Sequence, residues 1–462
     1  MRKRHGDSIV LRTYKTSITE GIFAQVYGNL SQIGSGFITK MLVIMGATPL
    51  QYSLLSAIGQ VSAVWQPLGM LLSRQFTNYR QPCIRITAIG RFLTLFLGLA
   101  LLFPTSQQGI WYMLSLLFVS AGFQAMGANI WIAWISDLIP LKIRGRFFSR
   151  RNQILFLVGL LASYIVSFHV DLFEARGGGL RTWYLERIGG QGFFIPEFQI
   201  WFLAGLFILA AVIGLVGLVM LGFQPERHRS QTSIPGWRQS LSEPFQDKNF
   251  RLLIVFGMWW MLAIGIGSPF WGPFMLKKLQ MGLFEMQIYS SLHIFASLLS
   301  FNFWGKFIDR FGNKTAMKIC VFLGGLNPMF WLFMSASNHI ILWFEALLSG
   351  FMWAGAGIVT TNFVLSIAPK RKEQAYSGVF AAVTGVSMMI TTLASGVFYP
   401  GSLDIGIRVL EPEQVIFGIG GLMRWLAIFP LTLVREYRSV PLRKALAYTL
   451  QRIFSWRLRP EK

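Results

Sequence analysis

The chain carries few charged residues for its length. Asp, Glu, Lys and Arg make up 13% of its 462 residues, and hydrophobic residues make up 53%. An ordinary soluble domain has about 25% charged residues. The charge present cannot cover a water-facing surface of this size, and this excludes a soluble globular protein. The composition predicts an all-α protein that crosses a membrane several times.

Cysteine is also scarce, and enzyme signatures are missing. Cys83 and Cys320 are the two thiols, and they lie far apart in apolar stretches, which excludes a disulfide framework and favours small buried side chains. The sequence has no G-x-x-x-x-G-K-[ST], no H-E-x-x-H and no Cys/His cluster at metal spacing. We therefore expect no enzyme activity, no cofactor, no metal and no transport driven directly by ATP within this chain.

Acidic residues are outnumbered by basic ones, 19 to 42, for a formal net charge of +23. The basic residues avoid the apolar stretches and cluster in every second gap between them, while alternate gaps such as 46–50, 104–109 and 335–338 carry none. This alternation is the positive-inside rule, and it predicts that both termini are cytoplasmic. The basic excess thus reflects membrane topology, and nucleic acid is not an expected partner.

Apolar segments long enough to span a bilayer recur along the whole chain. Twelve are predicted, at 18–46, 50–73, 83–103, 109–138, 150–170, 199–222, 251–275, 285–308, 315–336, 339–368, 374–398 and 414–434. A polar stretch divides them six and six. The predicted organisation is an N-terminal bundle (1–222), a central cytoplasmic linker (223–250), a C-terminal bundle (251–434) and a basic tail (435–462). The tail is either an amphipathic surface helix or a frayed end.

The two halves resemble each other. Gly69-Met-Leu-Leu-Ser-Arg74 ends the second span, and Gly305-Lys-Phe-Ile-Asp-Arg310 ends the eighth, about half the chain length later. Each is followed closely by a span that contains cysteine. A duplicated six-helix unit is therefore predicted, as in many secondary transporters.

Residues 305–314, here called the loop signature, carry a family resemblance. Their sequence, Gly-Lys-Phe-Ile-Asp-Arg-Phe-Gly-Asn-Lys, is similar to the motif G-x-x-x-D-R-x-G-x-K of the major facilitator superfamily. The first copy departs from the motif, with Ser73 in place of the acid and Phe76 in place of the second glycine. The resemblance implies two pseudo-symmetric six-helix bundles around a central cavity that opens alternately to each side.

The resemblance also implies that the loop signature acts as a gate. We expect the Asp309 carboxylate to meet the positive N-terminus of the eleventh span. The alternative is a tight basic turn. The gate candidates are Gly305, Asp309, Arg310, Gly312 and Lys314.

Polar residues within the spans point to a cavity. Gln25, Asn29 and Gln32 recur at helical spacing on one face of the first span, and a polar face directed at lipid would be costly. The alternative is polar glue between helices. The candidates for a substrate cavity are Gln25, Asn29, Gln32, Gln124, Trp131, Trp259, Trp271, His293, Glu345 and Trp353.

Glycine and proline crowd the seventh span, in Gly265-Ile-Gly-Ser-Pro-Phe-Trp-Gly-Pro273. This density predicts a broken helix, and broken helices tend to line binding sites. Trp259 and Trp271 flank the break, where they either contact the solute or serve as packing residues.

Two ionisable residues lie well inside spans and are candidate proton carriers. Glu345 is costly there if it is charged, and the ordinary pKa of His293 suits a cycle of protonation. Alternatively, Glu345 pairs with Arg424, and His293 satisfies a serine. The family's R-x-x-Q-G proton motif is absent from the fourth span.

Taken together, these patterns predict a secondary active transporter, a permease or exporter in a prokaryotic cytoplasmic membrane. Its expected partners are a small organic solute, the lipid bilayer and a coupling proton or other ion. The alternatives are a transporter-derived receptor or membrane assembly factor that no longer transports, and a membrane enzyme that acts on lipid.

Overall fold

The fold was obtained as a computed structural model. It describes residues 2–66, 68–69, 76, 78–174, 178–226, 242–369, 372–406, 408–436, 439–445 and 447–448. By packing, the chain divides into two compact units. The first comprises residues 1–232 and 269–287, and the second comprises 233–268 and 288–462. The segment 269–287 therefore packs with the N-terminal unit although it lies within the second half of the sequence.

Helices form nearly all of the N-terminal half. They are α1 (Arg2–Ser31), α2 (Gly36–Ile44), α3 (Pro49–Val61), α4 (Arg80–Leu93), α5 (Ser106–Leu138), α6 (Leu141–Asp171), α7 (Gly178–Ile188) and α8 (Pro196–Leu221). Short 3-10 stretches extend α3 over Ser62–Trp65 and α4 over Thr94–Leu102.

The C-terminal half repeats this helical pattern. Its helices are α9 (Lys248–Gly267), α10 (Trp271–Lys277), α11 (Leu283–Phe311), α12 (Asn313–Trp331), α13 (Ile341–Ile367), α14 (Glu373–Val397), α15 (Pro412–Leu426) and α16 (Ile428–Leu433). A small antiparallel hairpin, β1 (Leu403–Asp404) and β2 (Val409–Leu410), precedes α15.

Local sequence signals fix several helix starts. Thr48 forms a capping box with Gln51 ahead of α3, and Pro49 occupies the first turn, where its missing N–H costs nothing. At the start of α9 the Asp247 carboxylate accepts hydrogen bonds from the backbone N–H groups of Asn249 and Phe250. These side chains pair N–H groups that a helix leaves unsatisfied.

The first and seventh predicted spans are both interrupted. The break in the seventh was predicted, and α9 does end at Gly267 before α10 begins at Trp271. The first span was predicted as one segment over 18–46, but α1 ends at Ser31 and α2 begins at Gly36. Gly34 has φ +91° there, and the Ser35 hydroxyl accepts a hydrogen bond from the Phe37 N–H. Glycine adopts this φ without steric cost, so the chain can leave the helical conformation at this point.

The same helix pairings occur within each unit. In the N-terminal unit α1 packs against α6 and α8, while α4 packs against α5 and α8. In the C-terminal unit α9 packs against α14 and α15, while α12 packs against α13 and α15. In order of predicted spans, these are the same four pairs in each half. The internal duplication inferred from sequence is therefore present in the packing.

Eight described helical segments are long and apolar enough to cross a membrane. They are Arg80–Leu102, Ser106–Leu138, Ile143–Asp171, Pro196–Leu221, Lys248–Lys277, Ile341–Ile367, Ala375–Val397 and Pro412–Leu433. The other four predicted spans fall on α1–α2, α3, α11 and α12. The fold is thus the predicted all-α, multi-pass membrane architecture, with the N-terminal helix starting earlier than expected, at Arg2.

Some predicted features lie outside the described residues. They include most of the central linker (residues 227–241), the degenerate first signature from residue 70 to 75 and most of the basic tail (449–462). The described part of the tail continues as helix through residues 442–445.

Candidate functional site

The amide-rich face of α1 opens onto a cavity in the N-terminal unit. This amide cavity has a volume of about 390 Å³. Three predicted residues, Gln25, Asn29 and Gln32, line it together with the interrupted stretch between α1 and α2. The lining is Ala24, Gln25, Gly28, Asn29, Gln32, Ile33, Gly34, Ser35, Gly36, Ser163 and Gln287. Irregular backbone at membrane depth is tolerated where it lines a cavity, and this stretch does so.

Asn29 also joins two helices. Its amide nitrogen donates hydrogen bonds to the Gly159 carbonyl (2.9 Å) and the Ser163 hydroxyl (3.0 Å) on α6, and its carbonyl accepts one from the Gln25 amide (2.8 Å). A Cβ on Gly159 would lie 2.8 Å from the Asn29 Nδ2 atom, so glycine is what allows this approach. Asn29 thus combines the two roles that the sequence left as alternatives, since it lines the cavity and bonds α1 to α6.

Gln32 connects the amide cavity to a second cavity in the same unit. The second cavity has a volume of about 310 Å³. The Gln32 amide donates to the Gln124 carbonyl (2.6 Å), and the Gln124 amide donates in turn to the Tyr27 hydroxyl (2.7 Å) and the Ser120 hydroxyl (3.1 Å). The lining is Ser31, Gln32, Ile33, Gly59, Ser62, Leu117, Ser120, Ala121, Gln124, Ala125 and Ala128.

A buried charge cluster surrounds Glu20 on α1, five residues before Gln25. Glu20 pairs with Arg91 (3.2 Å) and lies 3.8 Å from Arg151. Arg91 also donates to the Gly214 carbonyl on α8, and the Arg151 guanidinium stacks 4.6 Å from the Trp131 ring. Arg91 is 6% exposed and is paired within the unit. The Glu20 carboxylate offsets the free-energy cost of burying the Arg91 guanidinium, which would be strongly unfavourable if it were unpaired.

In the C-terminal unit, Glu345 is held by neutral donors. It is 1% exposed and accepts hydrogen bonds from the Tyr289 hydroxyl (2.7 Å) and the Asn327 amide. Arg424, which the sequence offered as its partner, donates to the Gly324 carbonyl (3.1 Å). No ion pair within 4.0 Å joins Arg424 to Glu345 in the described part of the chain. His293, the second candidate carrier, is half-buried on α11.

The predicted tryptophans separate into different environments. Trp353 lines a cavity of about 550 Å³ in the C-terminal unit, formed with Ser297, Phe301, Ala354, Gly357, Ile358, Thr361 and Asn362. The Trp259 indole donates to the Met423 carbonyl (2.9 Å), so it fastens α9 to α15. Trp271 is the first residue of α10. Trp259 and Trp271 line none of the three cavities. The same holds for the other predicted residues Trp131, His293 and Glu345.

The loop signature forms the turn between α11 and α12. Gly312 has φ +88° and immediately precedes α12, which explains a glycine at this position. Asp309 is exposed, and no hydrogen bond or ion pair to it is present among the described residues. Asp309 was expected to meet the N-terminus of the eleventh span, which is α14. In this structure α14 begins after Lys372 without a side-chain cap.

A C-terminal segment, residues 434–448, binds the loop signature instead. The Glu436 carboxylate accepts from the backbone N–H groups of Asn313 (3.0 Å) and Lys314 (2.7 Å) and from the Asn313 side chain (2.8 Å). Arg310 lies 3.7 Å from the Tyr448 ring. The first turn of α12 therefore has its acidic cap supplied from the end of the chain.

Two further contacts fasten the same turn. The Lys314 ammonium donates to the carbonyls of Thr432 and Val434, both at 2.8 Å. The Val440 N–H donates to the Phe311 carbonyl at 3.0 Å. Arg310, Gly312 and Lys314 thus belong to a packed turn, whereas nothing lies within 4 Å of a Cβ built on Gly305. Sequence spacing did not indicate that the C-terminal segment would reach this turn.

Several residues that shape these sites were not predicted from sequence. Ser163 and Gln287 complete the amide cavity, and Tyr289 and Asn327 complete the shell of Glu345. Each lies on a different helix from the residue it supports. The Gly34-Ser-Gly36 run was the one local signal of the break in the first span.

The helices and cavities define a class of protein, a multi-pass helical membrane protein built from two repeated units. The model for "Major Facilitator Superfamily" matches residues 23–392. The chain belongs to the major facilitator superfamily, a family of transporters. No curated protein is significantly similar to it in sequence.

Solved structures share the fold at low sequence identity. The nucleoside transporter NupG is 15% identical, with a TM-score of 0.66 over 93% of this chain and 99% of that one. A D-xylose-proton symporter is 16% identical, with a TM-score of 0.59 over 95% and 99%. The inward-open xylose transporter XylE from E. coli is 15% identical, with a TM-score of 0.58 over 96% and 99%.

Proposed function

We propose that the chain is a secondary active transporter that moves a small organic solute across a prokaryotic cytoplasmic membrane by alternating access. The observation that carries the proposal is the amide cavity, a set of hydrogen-bonding side chains inside a fold of this family. Interrupted helices in corresponding positions of the two halves support it, since such helices form the solute sites of many transporters. The positive-inside pattern supports cytoplasmic termini.

The proposed solute contacts in the N-terminal unit are Gln25, Asn29, Gln32 and Gln124. Within the C-terminal unit, Trp353 and its cavity provide a separate apolar surface. Trp131, Trp259 and Trp271 are proposed to be packing residues, because their rings or indole N–H groups are engaged by neighbouring helices or lie away from the cavities.

The test is uptake into proteoliposomes that contain the purified full-length protein. A solute found by binding should accumulate or exchange, and Gln32→Leu should abolish this while Gln153→Leu does not. Gln153 is exposed on α6 and lies outside both cavities, so it is a matched control for the loss of a glutamine. A solute that binds but never crosses the membrane would favour the receptor or assembly factor.

Glu345 is the proposed proton carrier if transport is proton-coupled. It is buried and bonded only to neutral donors, which favours exchange between charged and protonated forms over a permanent ion pair. Glu345→Gln should remove the pH dependence of net uptake and leave solute exchange intact. His293→Gln is the comparison, and pH dependence that survives in both variants would exclude both residues as carriers.

The loop signature is proposed to influence the gate through Asp309, which is free to contact a helix N-terminus in another state of the cycle. Asp309→Asn should then slow turnover with little change in solute affinity. Unchanged turnover would make Asp309 a solvated turn residue.

A further inference from the structure

We infer that the solute bound at the amide cavity is uncharged and carries several hydroxyl or N–H groups, as a sugar, a polyol or a nucleoside does. This rests on the proposed function, because it assigns a substrate class to the cavity through which transport is proposed. The groups that line the amide cavity and the second cavity, and the hydrogen-bonding positions still open on them, favour such a solute.

Among the residues that the structure describes, none that lines these two cavities is Asp, Glu, Lys, Arg or His. Their polar side chains are amides and hydroxyls. An ionised solute would therefore lose its hydration shell without gaining a counter-charge, and the free-energy cost of moving an unpaired charge out of water is large. An uncharged polar solute needs only hydrogen bonds, which amides and hydroxyls supply.

Two charges close to this part of α1, Glu20 on α1 and Arg151 on α6, are already engaged with each other. A Cβ on Gly21, one turn before Gln25, would lie 2.8 Å from the Arg151 guanidinium. That guanidinium is held by Glu20, by the Ser17 hydroxyl (3.0 Å) and by the Trp131 ring. Arg151 lines neither cavity, so it is in no position to neutralise an anion in them in this structure.

The hydrogen-bonding positions that remain open are of both kinds. Asn29 uses both amide hydrogens and its carbonyl in protein contacts, and the amide hydrogens of Gln124 are likewise occupied. Gln25 and Gln32 each donate one amide hydrogen, to Asn29 and Gln124. Each of these two glutamines keeps a carbonyl oxygen and a second N–H without a partner among the described residues.

Gln287 adds a third glutamine side chain to the lining. An amide side chain offers one acceptor oxygen and two N–H donors. A hydroxyl can donate to that oxygen and accept from that N–H. A carboxylate or phosphate has only acceptors at neutral pH and would face the amide oxygens unfavourably, whereas an ammonium has only donors. A set of glutamines that keep both functions therefore selects groups that both donate and accept.

The second cavity supplies an apolar wall beside these amides. Ala121, Ala125 and Ala128 contribute methyl groups there, Leu117 adds an isobutyl group, and Gly59 has no side chain. Ligand sites commonly combine a mostly apolar surface with a few convergent polar groups. The C–H face of a ring fits such a wall, while its hydroxyl or N–H edge meets Gln32 and Gln124.

The test compares neutral probes with charged counterparts of nearly the same shape. Thermal unfolding of the purified full-length protein would be followed with D-glucose, myo-inositol and uridine, and with glucuronate, glucosamine and uridine monophosphate. A ligand that binds the folded state raises its apparent stability. We expect at least one neutral probe to raise the melting temperature in a dose-dependent way and its charged counterpart to do so far less.

Variants connect the binding to the cavity. Gln32→Leu and Gln25→Leu should each weaken the neutral probe at least about tenfold, as expected for the loss of one or two hydrogen bonds, and Gln153→Leu should leave its affinity unchanged. Gln32→Glu keeps the side-chain volume if the leucine variant fails to fold. It should weaken the neutral probe and strengthen glucosamine, which carries an ammonium.

Two results would overturn the substrate class. One is preferential binding of a charged probe that Gln32→Leu or Arg151→Met abolishes, and the other is no stabilisation by any neutral probe. If the proposed transport function is wrong, the result is different. A neutral probe would then bind, its binding would require Gln32, and it would never enter proteoliposomes. In that case the cavity belongs to a receptor, and the substrate class remains correct.

Discussion

The hydrogen bonds of Glu436 predict that the C-terminal segment stabilises the loop signature. Glu436→Gln keeps the size of the side chain and removes its charge. One carboxylate oxygen accepts from Asn313 and the other from Lys314. A glutamine keeps one acceptor and places an NH₂ group opposite a backbone N–H, so at least one hydrogen bond is lost and the favourable interaction with the N-terminus of α12 is weakened.

The expected cost follows from these contacts. Hydrogen bonds to charged groups contribute about 1.5–3 kcal/mol each, and an acid at a helix N-terminus contributes about 0.3–1 kcal/mol. Glu436 is half-buried, so solvent reduces both effects. We expect a loss of about 2 kcal/mol. For a unit of about 200 residues this lowers the melting temperature by roughly 4–8 °C.

Glu373→Gln is the matched control for this prediction. Glu373 lies in the first turn of α14, is half-buried and makes no side-chain hydrogen bond in the described structure, so its removal should cost less than about 1 kcal/mol. Thermal unfolding gives the stability, and amide hydrogen exchange locates the change. Exchange should accelerate at residues 313–316 in Glu436→Gln. Exchange there that matches the parent protein would refute the reasoning.

Two further predictions concern the N-terminal unit. Gly159→Ala should destabilise the protein by about 1–3 kcal/mol and weaken solute binding, because the new Cβ would lie 2.8 Å from the Asn29 amide nitrogen. The control is Gly205→Ala on α8, which should be neutral or slightly stabilising because nothing lies within 4 Å of its Cβ. Equal melting temperatures for the two variants would exclude the close contact. Arg91→Leu should cost about 3–5 kcal/mol by leaving the Glu20 carboxylate poorly paired, and the double variant with Glu20→Leu should recover part of that loss in thermal unfolding, so a purely additive double variant would contradict the pairing.

The polar stripe on α1 illustrates how far sequence alone could lead. Spacing put Gln25, Asn29 and Gln32 on one helix face, and all three line the amide cavity. It could not separate cavity lining from helix contact, because that depends on which helix approaches. The backbone of α6 approaches α1 closely at Gly159. The amide nitrogen of Asn29 donates to α6 there, and its carbonyl accepts from Gln25. Gln25 and Gln32 retain open positions.

The class of protein could be predicted from the sequence alone. Low charge, recurring apolar segments and alternating basic clusters are properties of residues along the chain, and a bilayer imposes them on any sequence that crosses it. The loop signature and the duplicated pattern identified the family for the same reason. The break in the seventh span was also local, since glycine and proline at 265–273 disfavour a continuous helix whatever their surroundings.

The hydrogen-bonding and ion-pair partners of the polar residues depend on the tertiary packing and could not be predicted from the sequence. Glu345 accepts hydrogen bonds from Tyr289 and Asn327, whereas the sequence offered Arg424 as its partner. Arg91 is buried and pairs with Glu20. Glu436 reaches the loop signature from more than 100 residues away along the chain. The physical reason is common to these cases. A buried polar group must be satisfied, but the group that satisfies it is chosen by the packing of helices distant in sequence, and a single sequence carries no record of that packing.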